Sequence, residues 1–190
     1  LEQMYKNKTE DYQKNSPVFF GRLAFTILGD EIGSIVDAKA INEAKIIGER
    51  KPWLEDFRTW LKARKITPDF FGKKDWDEIN ALGDIKQTPT LPEKRLYYYT
   101  CRYISFITTQ FYKWATEYVD KYYSTPSYNV LAGPNFQAAI IQGGGMWGGL
   151  VDVFEFGREN AVSLLWTEDW LGGTEFGLSN IMYGVNVLRS

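Results

Sequence analysis

Residues 18–28 read VFFGRLAFTIL, a nearly continuous apolar run that is partly β-branched. The run ends in the turn-forming segment Gly29-Asp30-Glu31-Ile32-Gly33. Strands that are buried on both faces have this pattern, and they are typical of parallel sheets. The run therefore predicts a buried strand of a parallel sheet, with the acidic pair Asp30-Glu31 directly after it.

A second buried strand is predicted at residues 161–167, and it leads directly into Glu168-Asp169-Trp170. Two shorter strands are predicted at residues 128–132 and 150–156, each between turn or glycine signals. Antiparallel hairpin signals are scarce. The order of strands and helices therefore predicts an α/β fold with a parallel sheet.

Helical signals fill much of the chain between these strands. Residues 1–16 are polar and are expected to form an exposed lead-in or a short helix. Pro52 opens a helix that ends near residue 67, and residues 69–92 are expected to be mainly loop. The capping-box spacing of Thr90 and Glu93 predicts a long helix to about Tyr123. One apolar stripe on this helix, expected to be core, contains Tyr99, Tyr103, Ile107, Phe111, Trp114, Tyr118 and Tyr122.

Composition narrows the classes of function. The 190 residues carry a net charge of -2 with no basic stripe, which argues against nucleic acid as a partner. No run of about 18 apolar residues occurs, so no membrane span is expected. Histidine is absent, which removes Ser-His-Asp machinery and the commonest zinc ligand. We expect no metal and no cofactor, and we expect the single Cys101 to be an inert thiol.

The candidate chemistry lies in the two acidic pairs, Asp30-Glu31 and Glu168-Asp169. Active sites of (β/α) barrels lie at the carboxyl ends of the strands, where both pairs are predicted. Glycoside cleavage needs two carboxyl groups, one protonated and one ionised, and needs no histidine. The alternative is that these acids only cap the helices that follow.

Aromatic residues make up 16% of the chain and could stack on flat sugar faces. The glycine-rich segment 143–149 lacks the lysine and hydroxyl residue of a phosphate-binding loop. It is expected to be either a surface loop or a lid that carries Trp147 over a site.

Four strings resemble one family. They are Leu28-Gly29-Asp30-Glu31, the segment 95–100, the segment 154–158 and the segment 165–170. Together they resemble a bacterial group of barrel proteins that is similar to glycoside hydrolase family 42 β-galactosidases, of the clan of retaining (β/α)8 glycosidases. The resemblance covers residues 18–189 and implies a partial (β/α)8 barrel with the helical insertion 33–125.

The resemblance also implies roles for individual residues. Glu31, after the fourth strand, would be the acid/base, and Glu168, after the seventh, the nucleophile. The clan has asparagine where this chain has Asp30, and Asp169 leaves open which acid of the second pair faces the substrate. The sugar contacts implied on this mapping are Asp30, Asn135, Trp147, Glu155, Arg158, Trp166, Asp169 and Trp170.

Length leaves two further hypotheses open. A closed barrel takes about 250 residues, so residues 1–190, taken as one unit, would hold only the fourth to seventh strands. A missing amino-terminal half or a partner chain would then complete the barrel. The chain could therefore be a retaining glycosidase, a non-catalytic carbohydrate-binding barrel, or a structural subunit that pairs with a partner.

Overall fold

A computed structural model describes residues 2–15, 23–29, 33–43, 53–124, 129–137, 152–164 and 166–168. Its contacts divide the chain into two compact units. Unit 1 consists of Leu1–Gly33 and Thr109–Ser190, and unit 2 of Ser34–Thr108. Unit 2 falls within the range 33–125 that was expected to be a helical insertion.

The described elements are named in chain order. They are α1 (Glu2–Asn15), β1 (Phe25–Ile27), α2 (Ala38–Glu43), α3 (Trp53–Ala63), α4 (Leu91–Tyr123), β2 (Leu131–Gly133), β3 (Asn135–Gln137), α5 (Val153–Arg158) and β4 (Trp166–Glu168). Short 3-10 turns occur at Pro68–Phe71 and Trp76–Glu78. The predictions of α3, α4 and a mainly irregular segment between them are confirmed.

The start of α4 is fixed by the predicted capping box. The backbone N–H and the hydroxyl of Thr90 each donate to the Glu93 carboxylate over 2.8 Å. In return, the Glu93 N–H donates to the Thr90 hydroxyl oxygen over 3.4 Å. These bonds satisfy backbone and side-chain groups at the helix end. They also lower the pKa of Glu93, with Lys86 contributing a smaller electrostatic part.

Replacing Thr90 by alanine is expected to lower the free energy of unfolding by about 1 kcal/mol near neutral pH. The loss should shrink in acid. Folding lowers the pKa of Glu93, so its carboxylate stabilises the folded protein at pH values above its ordinary pKa. This contribution is lost as the pH falls through the pKa of Glu93 in the folded protein. Urea unfolding followed by circular dichroism at both pH values measures this. Thr67→Ala is the matched control, since Thr67 makes no side-chain cap bond. An equal loss at both pH values would contradict the prediction.

The core of unit 2 is aromatic. Phe57 and Trp60 on α3 pack against Tyr103 on α4, with ring centroids of Phe57 and Tyr103 5.1 Å apart. The guanidinium of Arg64 lies over the Trp60 ring, 3.7 Å from the ring centroid. Phe57 and Leu61 are completely buried. The predicted helical period of α3 therefore directs its apolar face into this core.

Unit 1 contains two parallel strand pairs. β1 pairs with β2 in the register Phe25 with Leu131 and Ile27 with Gly133. β3 pairs with β4 in the register Asn135 with Trp166 and Gln137 with Glu168. Only residue 134 separates β2 from β3, which is too short a link for a hairpin. The segment 131–137 therefore runs in one direction, pairing first with β1 and then with β4.

The strand predicted at 150–156 is wrong. Its described part begins the helix α5, where the Asp152 carboxylate accepts a bond from the Phe154 N–H over 3.0 Å and caps the helix. Val153 and Phe156 lie on one side of α5 and pack in a cluster with Tyr112 and Ala161. Burial of this helical face prevails over the short alternating pattern.

The strands predicted at residues 128–132 and 161–167 are both shorter than predicted and lie later in the sequence. Strand β2 starts at Leu131, whereas 128–132 was expected. Residues 161–164 are not strand, and β4 covers Trp166–Glu168. The Ser163 hydroxyl accepts from the Ala132 N–H over 2.8 Å, and the Ala132 carbonyl accepts the N–H groups of Ser163 and Leu164. Residues 163 and 164 are thus hydrogen-bonded to β2, and β4 begins after them.

Gly133, the last residue of β2, lies close to the backbone of Leu164. A methyl group at Gly133 would collide with the Leu164 backbone carbonyl, whose carbon would be 2.8 Å from the added Cβ. Because backbone cannot move aside as a flexible side chain can, Gly133→Ala is expected to destabilise unit 1 by about 1 to 3 kcal/mol or more.

Gly157→Ala is the matched control for this substitution. Gly157 lies inside α5 with no heavy atom within 4 Å of an added Cβ. Alanine there should be neutral or stabilising by about 0.5 to 1 kcal/mol. Thermal unfolding of the two variants measures both effects. A Gly133→Ala protein as stable as Gly157→Ala would show that the close approach is wrong.

Candidate active site

The structure describes only some of the site residues that were predicted from the sequence. Asp30, Glu31, Trp147, Asp169 and Trp170 lie outside the described residues. The backbones of Asn135, Trp166 and Glu168 are described as parts of β3 and β4. Glu168 is thus a strand residue at the carboxyl end of β4, as far as that strand is described.

The register brings some of these residues together. Asn135 and Trp166 are paired across β3 and β4, although they are 31 positions apart in sequence. Glu168 is paired with Gln137 in the same way. Gln137 was not among the predicted residues. Gln137 lies two residues after Asn135, and alternate residues of a strand lie on the same face. This spacing could have identified Gln137 from the sequence.

The end of β1 lies beside the same central segment. The Leu28 N–H donates to the Gly133 carbonyl over 3.0 Å, which continues the pairing one residue beyond β1. Gly29 is the last described residue here and directly precedes Asp30-Glu31 in sequence. In sequence, Asp30-Glu31 therefore comes after β1 and Glu168 is the last residue of β4, and both strands run parallel to the segment 131–137.

Glu155 and Arg158 are not at a strand end. Both lie on α5, where Glu155 is 8% exposed and Arg158 is exposed. The Arg158 guanidinium donates to the carboxylate of the N-cap residue Asp152 over 2.9 Å, which links the two ends of this short helix. Their expected role as sugar contacts is not tested by this placement and stays a prediction.

Burial raises the pKa of two further groups in the described part of the chain, Cys101 and Tyr112. Burial raises the pKa of Cys101, with a smaller opposing effect from its bond to Tyr97. Burial likewise raises the pKa of Tyr112 to about 12. A thiol with a raised pKa carries little thiolate, which is the nucleophilic form. Cys101 is therefore a poor nucleophile.

The described ranges contain neither a group of metal ligands nor a membrane-spanning helix. Within them, no three His, Cys, Asp or Glu side chains are grouped as metal ligands would be. No helix among the described residues has the length and apolar character needed to cross a membrane.

The stripe that was expected to be core is partly open. In unit 1, Phe111, Trp114 and Tyr118 of α4, with Thr26 and Leu28 of the β1 segment, line a cavity of about 210 Å³. Phe111 and Trp114 are only half-buried. Part of the stripe thus forms a wall rather than a packed interior.

Comparison with known proteins adds no further assignment. The chain matches no protein-family model, no curated protein and no solved structure. The resemblance to retaining glycosidases therefore stays a prediction from the sequence.

Proposed function

We propose that the chain is part of a retaining glycoside hydrolase that cleaves a sugar or oligosaccharide with two carboxylates, Glu31 and Glu168. Its parallel strands would belong to a partial (β/α)8 barrel. Trp166, Trp170 and Trp147 would form sugar platforms, and Asn135, Asp30 and Asp169 would contact hydroxyl groups. The proposal needs no metal and no cofactor.

The observation that carries this proposal is the strand register. Ile27 pairs with Gly133, and Gln137, four residues after Gly133, pairs with Glu168. Glu31 follows Ile27 by the same four residues. The proposal extends the register of β1 by four residues, which would put Glu31 at the level of Gln137 and Glu168 across the two strand pairs. Side chains at one level of a parallel sheet point to the same face.

The expected spacing suits the chemistry. Neighbouring strands are about 4.8 Å apart, so residues two strands apart at one level have Cα atoms about 10 Å apart. Two glutamate side chains that lean toward each other over this span can reach the roughly 5 to 5.5 Å that retaining enzymes use. This argument depends on the register alone. It does not need the strand numbers taken from the resembled clan. The predicted strand at residues 150–156, which is wrong, would have been the sixth in that numbering.

Hydrolysis of a panel of nitrophenyl glycosides tests the proposal. We expect release of nitrophenol from at least one α- or β-glycoside, and nuclear magnetic resonance should show that the first sugar product keeps the substrate's anomeric configuration. An inverted product would contradict the retaining mechanism. No turnover on any member, together with saturable sugar binding, would favour the non-catalytic carbohydrate-binding alternative.

One observation favours assembly with a partner as a second function. Phe25, Ile27 and Leu131 are 52%, 49% and 41% exposed, and Phe25 is paired with Leu131. An uncovered apolar sheet face is a site of association. If the chain is a structural subunit, native mass measurement should show an assembly that Phe25→Lys disrupts. A monomer at all concentrations would contradict this function.

A further inference from the structure

The cavity in unit 1 has a defined wall of rings. Phe111, Trp114 and Tyr118 lie along one face of α4, with the Trp114 centroid 6.0 Å from that of each neighbour. Adjacent rings are tilted by 38° and 41°. Adjacent rings are therefore in contact along this face of the helix.

The end of this wall is fixed by a hydrogen bond. The hydroxyl groups of Tyr123 and Thr9 are 2.8 Å apart, and Thr9 on α1 is buried. The opposite side of the cavity is formed by Thr26, Ile27 and Leu28. The row of rings and the β1 segment border a partly open space, and flat molecules can stack on such rings.

The chemistry of the lining selects neutral molecules. The described residues around the cavity are apolar or aromatic except for threonine and tyrosine, and none is charged. A charged ligand would lose its hydration without gaining an ion partner here. A sugar ring would lose hydration at several hydroxyl groups, and the described lining offers only hydroxyl, indole and backbone groups in return.

Size narrows the ligand further. An apolar cavity of about 150 Å³ takes up benzene. At about 210 Å³ this cavity has room for a second fused ring. The Thr26 hydroxyl is one lining group that could accept a hydrogen bond from a ring N–H.

We propose that this cavity is a binding site for a neutral, planar molecule of one or two fused aromatic rings, such as an indole. The site lies between β1 and α4. It shares no residue with the proposed carboxylate site and does not depend on glycosidase activity.

Binding of 5-fluoroindole, followed by fluorine nuclear magnetic resonance, tests the proposal. We expect saturable binding of one molecule per chain. Ala115→Leu should weaken binding by at least about tenfold, because Ala115 lines the cavity and a leucine there occupies part of its volume. Trp114→Leu, which removes the central ring of the wall, is a second variant and should weaken binding by a similar factor.

Glu117→Leu is the matched control, since it adds a leucine to the same helix at an exposed position. It should bind 5-fluoroindole as the unmodified chain does, and so should Glu168→Gln, which alters only the proposed catalytic pair. Methyl glucosides should not displace the probe. The proposal is wrong if binding does not saturate, if the folded Ala115→Leu and Trp114→Leu variants bind normally, or if a glucoside competes.

Discussion

Glu168→Gln is expected to lower kcat of glycoside hydrolysis by about 10⁴- to 10⁶-fold, because it removes the nucleophile itself. As the nucleophile, Glu168 would attack the sugar carbon, and an amide cannot form the same glycosyl ester. The loss should therefore occur with good and poor leaving groups alike. Initial rates with nitrophenyl and alkyl glycosides of the same sugar measure it.

Glu31→Gln should behave differently if Glu31 is the acid. A nitrophenol leaves without full protonation, so formation of the intermediate should suffer much less with nitrophenyl glycosides than with alkyl glycosides. The alkaline limb of the pH–rate profile, where the general acid loses its proton, should change as well. The comparison of the two leaving groups thus separates the roles of the two glutamates.

Glu159→Gln is the matched control for both substitutions. Glu159 is exposed and lies 3.9 Å from Lys113, a surface ion pair that contributes little. Its replacement should leave kcat unchanged. If Glu168→Gln retains full activity while Glu159→Gln does too, Glu168 is not the nucleophile, and the adjacent Asp169 becomes the next residue to replace.

Features with local causes could be predicted from the sequence. Thr90 and Glu93 bond to each other across three residues, so their spacing alone indicated where α4 begins. The helical period of Trp53, Phe57 and Trp60 likewise identified α3. Neither prediction needed knowledge of the contacts made elsewhere in the chain.

Features decided by distant contacts could not be predicted in this way. Residues 150–156 alternate well enough for a strand, but Val153 and Phe156 also fit one helical face, and short apolar segments remain ambiguous. The contact with Tyr112, about 40 positions earlier in the chain, decides for the helix. Residues 163 and 164 similarly bond to Ala132, which delays the start of β4.

The candidate site shows the same division. The sequence indicated which residues could do the chemistry, because carboxylates beside strand ends are visible in one dimension. It could not indicate the register, which pairs Gln137 with Glu168 across β3 and β4. Register follows from side-chain packing across strands that are far apart in sequence.

Phe57→Ala is expected to cause the largest loss of stability in unit 2, about 3 to 5 kcal/mol. Phe57 is 0% exposed and its ring is 5.1 Å from that of Tyr103 and 6.5 Å from that of Trp60. Alanine would leave a cavity among these rings, and Trp60 is also in contact with the Arg64 guanidinium at 3.7 Å. Since whole domains are stable by only about 5 to 15 kcal/mol, this loss should be easily measured.

Urea unfolding followed by tryptophan fluorescence measures this loss, because Trp60 reports on the same cluster. Thr59→Ala is the matched control: Thr59 lies on α3 as Phe57 does but is exposed, so its replacement should change the free energy of unfolding by less than about 0.5 kcal/mol. The midpoint for Phe57→Ala should fall well below that for Thr59→Ala. Equal midpoints would mean that Phe57 is not the centre of this core, and the packing of α3 against α4 would have to be revised.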